Sequence, residues 1–79
     1  MIKIVQKLMA FGMDFEYENR GSNGEKIIAF EIGLEISNQN GKIYYSISSP
    51  TEIIDETEDA YSFLANKVKE ECIAETSSF

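Results

Sequence analysis

At 79 residues, the chain is long enough for one domain with one small core and too short to enclose a deep substrate cavity as well. Fourteen acids against seven bases give a net charge of −7, which disfavours direct binding to nucleic acid or an anionic membrane and favours a basic partner, although such a charge also serves solubility alone. The 43% apolar content excludes intrinsic disorder, and the absence of histidine excludes Ser/His and Cys/His catalysis and histidine metal sites.

The first element is expected to be a helix over residues 2–11, because Ile4, Val5, Leu8, Met9 and Phe11 recur at helical spacing and Gly12 stands where a left-handed cap would end it. The same "MIKIV" also permits a strand. "MIKIVQKLMAFGM" carries Lys3 and Lys7 and no small-residue cleavage site, which argues against a signal peptide. Next, "MDFEYEN" alternates: Met13, Phe15 and Tyr17 to one side, Asp14, Glu16 and Glu18 to the other. After "GSNG", the segment "EKIIAFEIGLEIS" reads as one long strand with Ile28, Phe30, Ile32, Leu34 and Ile36 facing inward. Asn40-Gly41 marks a type I′ hairpin turn into "KIYYSIS", the third strand.

Register tests these strands against one another, since a slip of one residue turns an apolar face to water. The Asn40-Gly41 turn places Gln39 opposite Lys42, Ile36 opposite Tyr45 and Leu34 opposite Ile47. A Gly21–Gly24 loop places Arg20 opposite Glu25, Tyr17 opposite Ile28, Phe15 opposite Phe30 and Met13 opposite Ile32. Ile27, Ala29, Tyr44, Ser46 and Ser48 then fall on the open face.

The remainder reads as a helix starting at "SPTE" or at "DETE", both of capping-box form, with Tyr61, Leu64, Ala65, Val68 and Cys72 in one stripe. Ile53 and Ile54 either extend that helix or close a connecting turn. Residues 75–79 are expected to be a frayed tail. The resulting fold class is α+β: a three-stranded antiparallel meander, order 1-2-3, with an N-terminal and a C-terminal helix on one face (α-β-β-β-α) in a single domain.

Little chemistry is available to such a chain. Cys72 is the only cysteine; it lies on the apolar stripe as a small hydrophobe, has no disulfide partner in the chain, and fits a reducing, cytoplasmic compartment. No segment is long and apolar enough to span a membrane. Aligning Asp55, Thr57 and Asp59 with a calcium loop puts Ala60 where glycine is needed and Asn66 where the bidentate glutamate belongs, so no metal is expected. A carboxylate hydrolase needs a cleft that an open sheet with two helices does not offer. We therefore expect neither an enzyme nor a cofactor.

Two carboxylate arrays remain as candidate partner-binding surfaces. Asp14, Glu16 and Glu18 project from the open face at about 6.6–6.8 Å intervals, of the order of phosphate spacing along a nucleic-acid strand, and Glu31 and Glu35 widen the patch. Asp14 falls opposite Glu31, a like-charge pair with a local cost. Charges on an edge strand also deter edge-to-edge aggregation. The second array, Glu52, Asp55, Glu56 and Asp59, lies opposite the apolar stripe and also complements the helix dipole. Phe63 shares that arc, either as an interface anchor or against the first helix or the tail, and Tyr44 stands on the open sheet face.

The succession "IVQKLMAF", "DFEYEN", "EKIIAFEIGLEIS", "NQNGKIYYSIS", "DETEDAYSFLANKVKEE", with its negative charge, resembles the small acidic proteins with which phages disable nucleic-acid enzymes, in particular Cas9-blocking anti-CRISPR proteins. The resemblance is one of architecture and charge, with no motif matched residue by residue. It implies a non-enzymatic DNA-mimic inhibitor, monomer or homodimer, that occupies the basic groove of a nuclease or other nucleic-acid-binding protein. The alternative is a generic interaction or oligomerisation domain acting through an exposed aromatic or a free sheet edge.

Overall fold

Two helices cover one face of a five-stranded antiparallel sheet in the computed structural model, which describes residues 1–76. The elements are α1 (Ile2–Ala10), β1 (Glu16–Asn19), β2 (Glu25–Ala29), β3 (Leu34–Gln39), β4 (Lys42–Ile47), β5 (Glu52–Asp55) and α2 (Glu58–Thr76), with spatial order β1-β2-β3-β4-β5. The expected three-stranded meander is thus corrected: its long second strand is a hairpin, and the segment expected either to extend the last helix or to close a connecting turn adds a fifth strand.

α1 ends where the glycine places it. Gly12 adopts φ +67°, its N–H donates to Met9 O at 3.1 Å and the Met13 N–H to Leu8 O at 2.9 Å. That pair of bonds is a Schellman cap, satisfying carbonyls that the helix end would leave open. Ile4 and Leu8 are buried, whereas Met9, expected on the same face, is 66% exposed.

β1 begins at Glu16 rather than Met13, and its register with β2 is one residue from the expected one: Glu16 faces Ile28, Tyr17 faces Ile27 and Asn19 faces Glu25. The connection is longer by Arg20, which starts a 3₁₀ turn at Gly21–Asn23, and its N–H donates to Gly24 O at 2.8 Å. Gly24 sits at φ +87° against β3, where a Cβ would lie 1.7 Å from Asn38 O. Asn38, a buried polar side chain, accepts from Glu25 N at 2.7 Å and donates to Tyr61 Oη at 2.8 Å. Packing at Gly24 and this hydrogen bond set where β2 begins.

The long apolar run breaks at Phe30–Ile32, a 3₁₀ turn closed by Gly33 in the left-handed region (φ 60°, ψ 36°). Ala29 then faces Leu34, and Ser48 secures the turn through its N–H to Gly33 O (3.0 Å) and its Oγ–H to Ile32 O (3.2 Å). The reversal changes the phase of the alternation. Ile27 and Ala29, expected on the open face, are fully buried with Leu34 and Ile36, while Ile28 and Phe30 leave the core.

The β3–β4 hairpin matches the expected register at every pair named, with Asn40 at φ 52° and Gly41 at φ 75° as a type I′ turn requires. Ile53 and Ile54, β-branched and shortly after Pro50, pair with Tyr44 and Ile43 as β5. α2 starts at Glu58, the last residue of the second expected box: Thr57 Oγ1 rather than Asp55 accepts as the N-cap, from the Ala60 N–H at 3.0 Å, and Glu58 and Asp59 fill the first turn. Leu64, Ala65, Val68 and Cys72 are buried as expected, with Tyr61 packed against the same core. Of the expected tail, residues 75 and 76 are helical and residues 77–79 lie outside those described.

Gly24→Ala should cost more than about 3 kcal/mol in urea unfolding, because the added methyl meets backbone as well as a positive φ. Gly21→Ala, at φ +62° with nothing within 4 Å of the methyl, should cost about 1–2 kcal/mol. Equal losses would remove the contact with Asn38 as the cause.

Candidate functional site

The observed register sorts the first carboxylate array. Glu16, Ile28, Glu35 and Ser46 form one row across the open face, and Glu18, Lys26, Ser37, Tyr44 and Ile53 the next. Glu16 and Glu18 therefore project from the open face as expected, but Glu18 meets a lysine across the ladder, and Lys26 Nζ also lies 3.1 Å from Glu35. The expected opposition of Asp14 and Glu31 does not occur: Asp14 precedes β1 and Glu31 lies in the turn between β2 and β3. Tyr44 is half-buried at the middle of this face.

Those two acids meet at a corner instead. Asp14, Phe15, Glu16, Phe30 and Glu31 line a shallow cleft of about 290 Å³, and Phe30 is 74% exposed. Strand alternation placed Phe30 in the core, so this residue was missed as a surface group. The signal that could have found it is Gly33: a glycine between two alternating segments of opposite phase marks a reversal better than an uninterrupted strand.

The second array is largely engaged within the fold. Glu52 accepts the Tyr45 hydroxyl at 2.6 Å, Asp55 pairs with Lys42, and Glu56 accepts the Tyr61 hydroxyl. Lys42 holds the Asp55 carboxyl below its usual range, first through their hydrogen bond and then through its charge. Asp59 remains exposed in the first turn of α2. Phe63 is 46% exposed, with Lys67 Nζ 5.1 Å from its ring centre, so a cation already covers part of the aromatic face. β1 and β5 are opposite edges of the sheet, four strand spacings or about 19 Å apart, so the two arrays are not one surface.

Burial pushes the Cys72 thiol up, as do Glu71 and Glu31, away from a reactive thiolate. Among the described residues, no three His, Cys, Asp or Glu side chains converge to hold a metal ion, and no helix is long and apolar enough to cross a membrane. One polar cluster ties the edge strand to α2: Tyr17 donates to Glu25, Asn38 Nδ2 lies 3.4 Å from Glu25 Oε1, and Tyr61 bridges Asn38 and Glu56.

That cluster makes stability depend on pH at both ends. The hydrogen bond from Tyr17 holds the Glu25 carboxyl below its ordinary 4.5, so its contribution is present above pH 4.5 and is lost as pH falls through the lower folded value. Burial, then the bond to Glu56, pushes Tyr61 from 10.0 up to about 12, so stability present below pH 10 is lost as pH rises toward 12. Urea midpoints measured across pH should show both limbs, the acid one flattened in Glu25→Gln and the alkaline one in Tyr61→Phe. Comparison with known protein families, curated proteins and solved structures finds no match to this chain, so a reading of its function rests on these surfaces.

Proposed function

We propose that this protein is a non-enzymatic inhibitor that binds a basic nucleic-acid-binding protein, a nuclease or a related enzyme, in the groove that otherwise holds nucleic acid. The observation that carries this reading is Phe30, exposed beside Asp14, Glu16 and Glu31 at the corner where the open sheet face ends. An aromatic ringed by carboxylates offers both parts of a recognition surface: apolar area for affinity, and charge for steering and selection of a basic partner. Glu18 continues the negative edge along β1. Asp55 and Glu56 leave the proposed site because Lys42 and Tyr61 engage them, and Phe63 yields the anchor role to Phe30. A reducing, cytoplasmic setting suits the single buried cysteine. The reading involves no cofactor, no direct nucleic-acid contact and no membrane.

Immobilised protein should capture basic nucleic-acid-binding proteins at low salt and release them to competing duplex DNA or to raised salt. Capture should fall at least about tenfold in Phe30→Ala and in the triple reversal of Asp14, Glu16 and Glu31 to Lys, and persist in Phe63→Ala. Capture that survives the triple reversal, or that duplex DNA does not displace, would exclude a groove competitor.

A further inference from the structure

The outer edge of β1 has unlike chemistry on its two sides. Arg20 donates its N–H to Gly24 O across the β1–β2 ladder at 2.8 Å. Antiparallel ladders alternate, so Glu18 and Glu16 also turn their backbone groups toward β2, while Tyr17 and Asn19 direct N–H and C=O away from the sheet. Among the described residues no strand pairs with that edge.

On the helix side of the edge the ground is apolar. Met1, Ile2, Val5, Phe15, Tyr17 and Glu25 line a groove of about 500 Å³ between α1 and β1. Ile2, Val5 and Met9 recur at i, i+3 and i+7, a stripe of α1 separate from the buried Ile4 and Leu8, and Ile2 is 70% exposed and Tyr17 47%. On the open side stand Glu16 and Glu18.

We propose that β1 accepts an additional strand: an extended segment of the basic partner in which apolar residues alternate with Lys or Arg. The deduction rests on the proposed function for the sign of the partner's charge and adds the form in which it docks. A strand's side chains alternate between faces, so one laid along Glu16–Asn19 sends every second residue over Ile2, Val5 and Tyr17 and the others beside Glu16 and Glu18. The four residues of β1 offer about 13 Å of ladder. A second copy of β1 is a poor occupant because it would set its own Glu16 and Glu18 alongside these. The other free edge, β5, offers less apolar ground: the cleft on its helix side is lined by the charged Glu52, Lys67, Glu70 and Glu71 together with Tyr45, Ile47 and Ser49.

The test is a titration of the full chain, followed by amide NMR, with three capped hexapeptides: Lys-Val-Lys-Ile-Lys-Val, its same-composition blocked form Lys-Lys-Lys-Val-Ile-Val, and the alternating form N-methylated at every second amide. The alternating peptide should slow hydrogen exchange at Tyr17 and Asn19 and bind at least about tenfold more tightly than either control. Ile2→Glu, at a side chain already in solvent and with folding checked by circular dichroism, should weaken it by a similar factor. Equal binding of the alternating and blocked peptides would overturn strand addition while leaving the acidic-surface reading standing. Binding of neither, or protection confined to β5, would overturn strand addition too, and the Phe30 and carboxylate variants then decide the proposed function separately.

Discussion

Asn38 is the constraint on which the sheet and the second helix jointly depend. Its side-chain oxygen takes the Glu25 N–H, its amide reaches Tyr61 Oη and Glu25, and its own carbonyl leaves room for nothing larger than hydrogen at Gly24. A buried amide with partners on β2 and α2 admits one arrangement of those elements, because any slip strands polar groups in an apolar surround. Tyr61 carries the constraint on to Glu56 at the mouth of α2, and Glu25 carries it to Tyr17 on the edge strand. In a core built mainly from aliphatic side chains, which pack in many ways, this network supplies direction.

The same network explains why the acids are not equivalent. Glu25, Glu52, Asp55 and Glu56 each receive a hydroxyl or an ammonium from the fold, so much of the negative charge along 51–59 is tied to β4, β5 and α2. Glu16, Asp14 and Glu31 are exposed, and they gather where β1 begins and the β2–β3 turn ends. Lys26 opposes Glu18 and reaches Glu35, so the middle of the open face is nearer neutral than a count of its acids implies. Negative potential on that side is concentrated at the corner and the edge.

What could be read without coordinates divides along physical lines. Local signals held: the glycine cap of α1, the Asn40-Gly41 turn with its register, and the stripe of α2 each depend on residues close in sequence. The failures were decided by distant partners. Phe30-Glu31-Ile32-Gly33 turns because Ser48 binds the turn carbonyls, and Ile53-Ile54 extends because β4 offers an edge to pair with. The β1–β2 register moved by one residue because Gly24 packs on Asn38, fourteen positions away in the chain. The carboxylates of the candidate site were legible as residues, but their neighbours were not, and the aromatic that organises them was assigned to the interior.

Phe30, 74% exposed, is the most exposed large apolar side chain among the described residues. The turn between β2 and β3 needs a left-handed Gly33 and the Ser48 bonds, none of which involves the Phe30 side chain. Alternation along β2 already sends Ile27 and Ala29 inward, and Ile32 fills the core from the turn itself. A polar residue at position 30 would leave the turn's backbone bonds in place and avoid a large apolar ring in water, a change worth roughly 1.5–3 kcal/mol if the ring could be buried. Asp14, Glu16 and Glu31 give this exposed ring a negative rim, and that pairing of apolar area with charge is what the proposed function rests on.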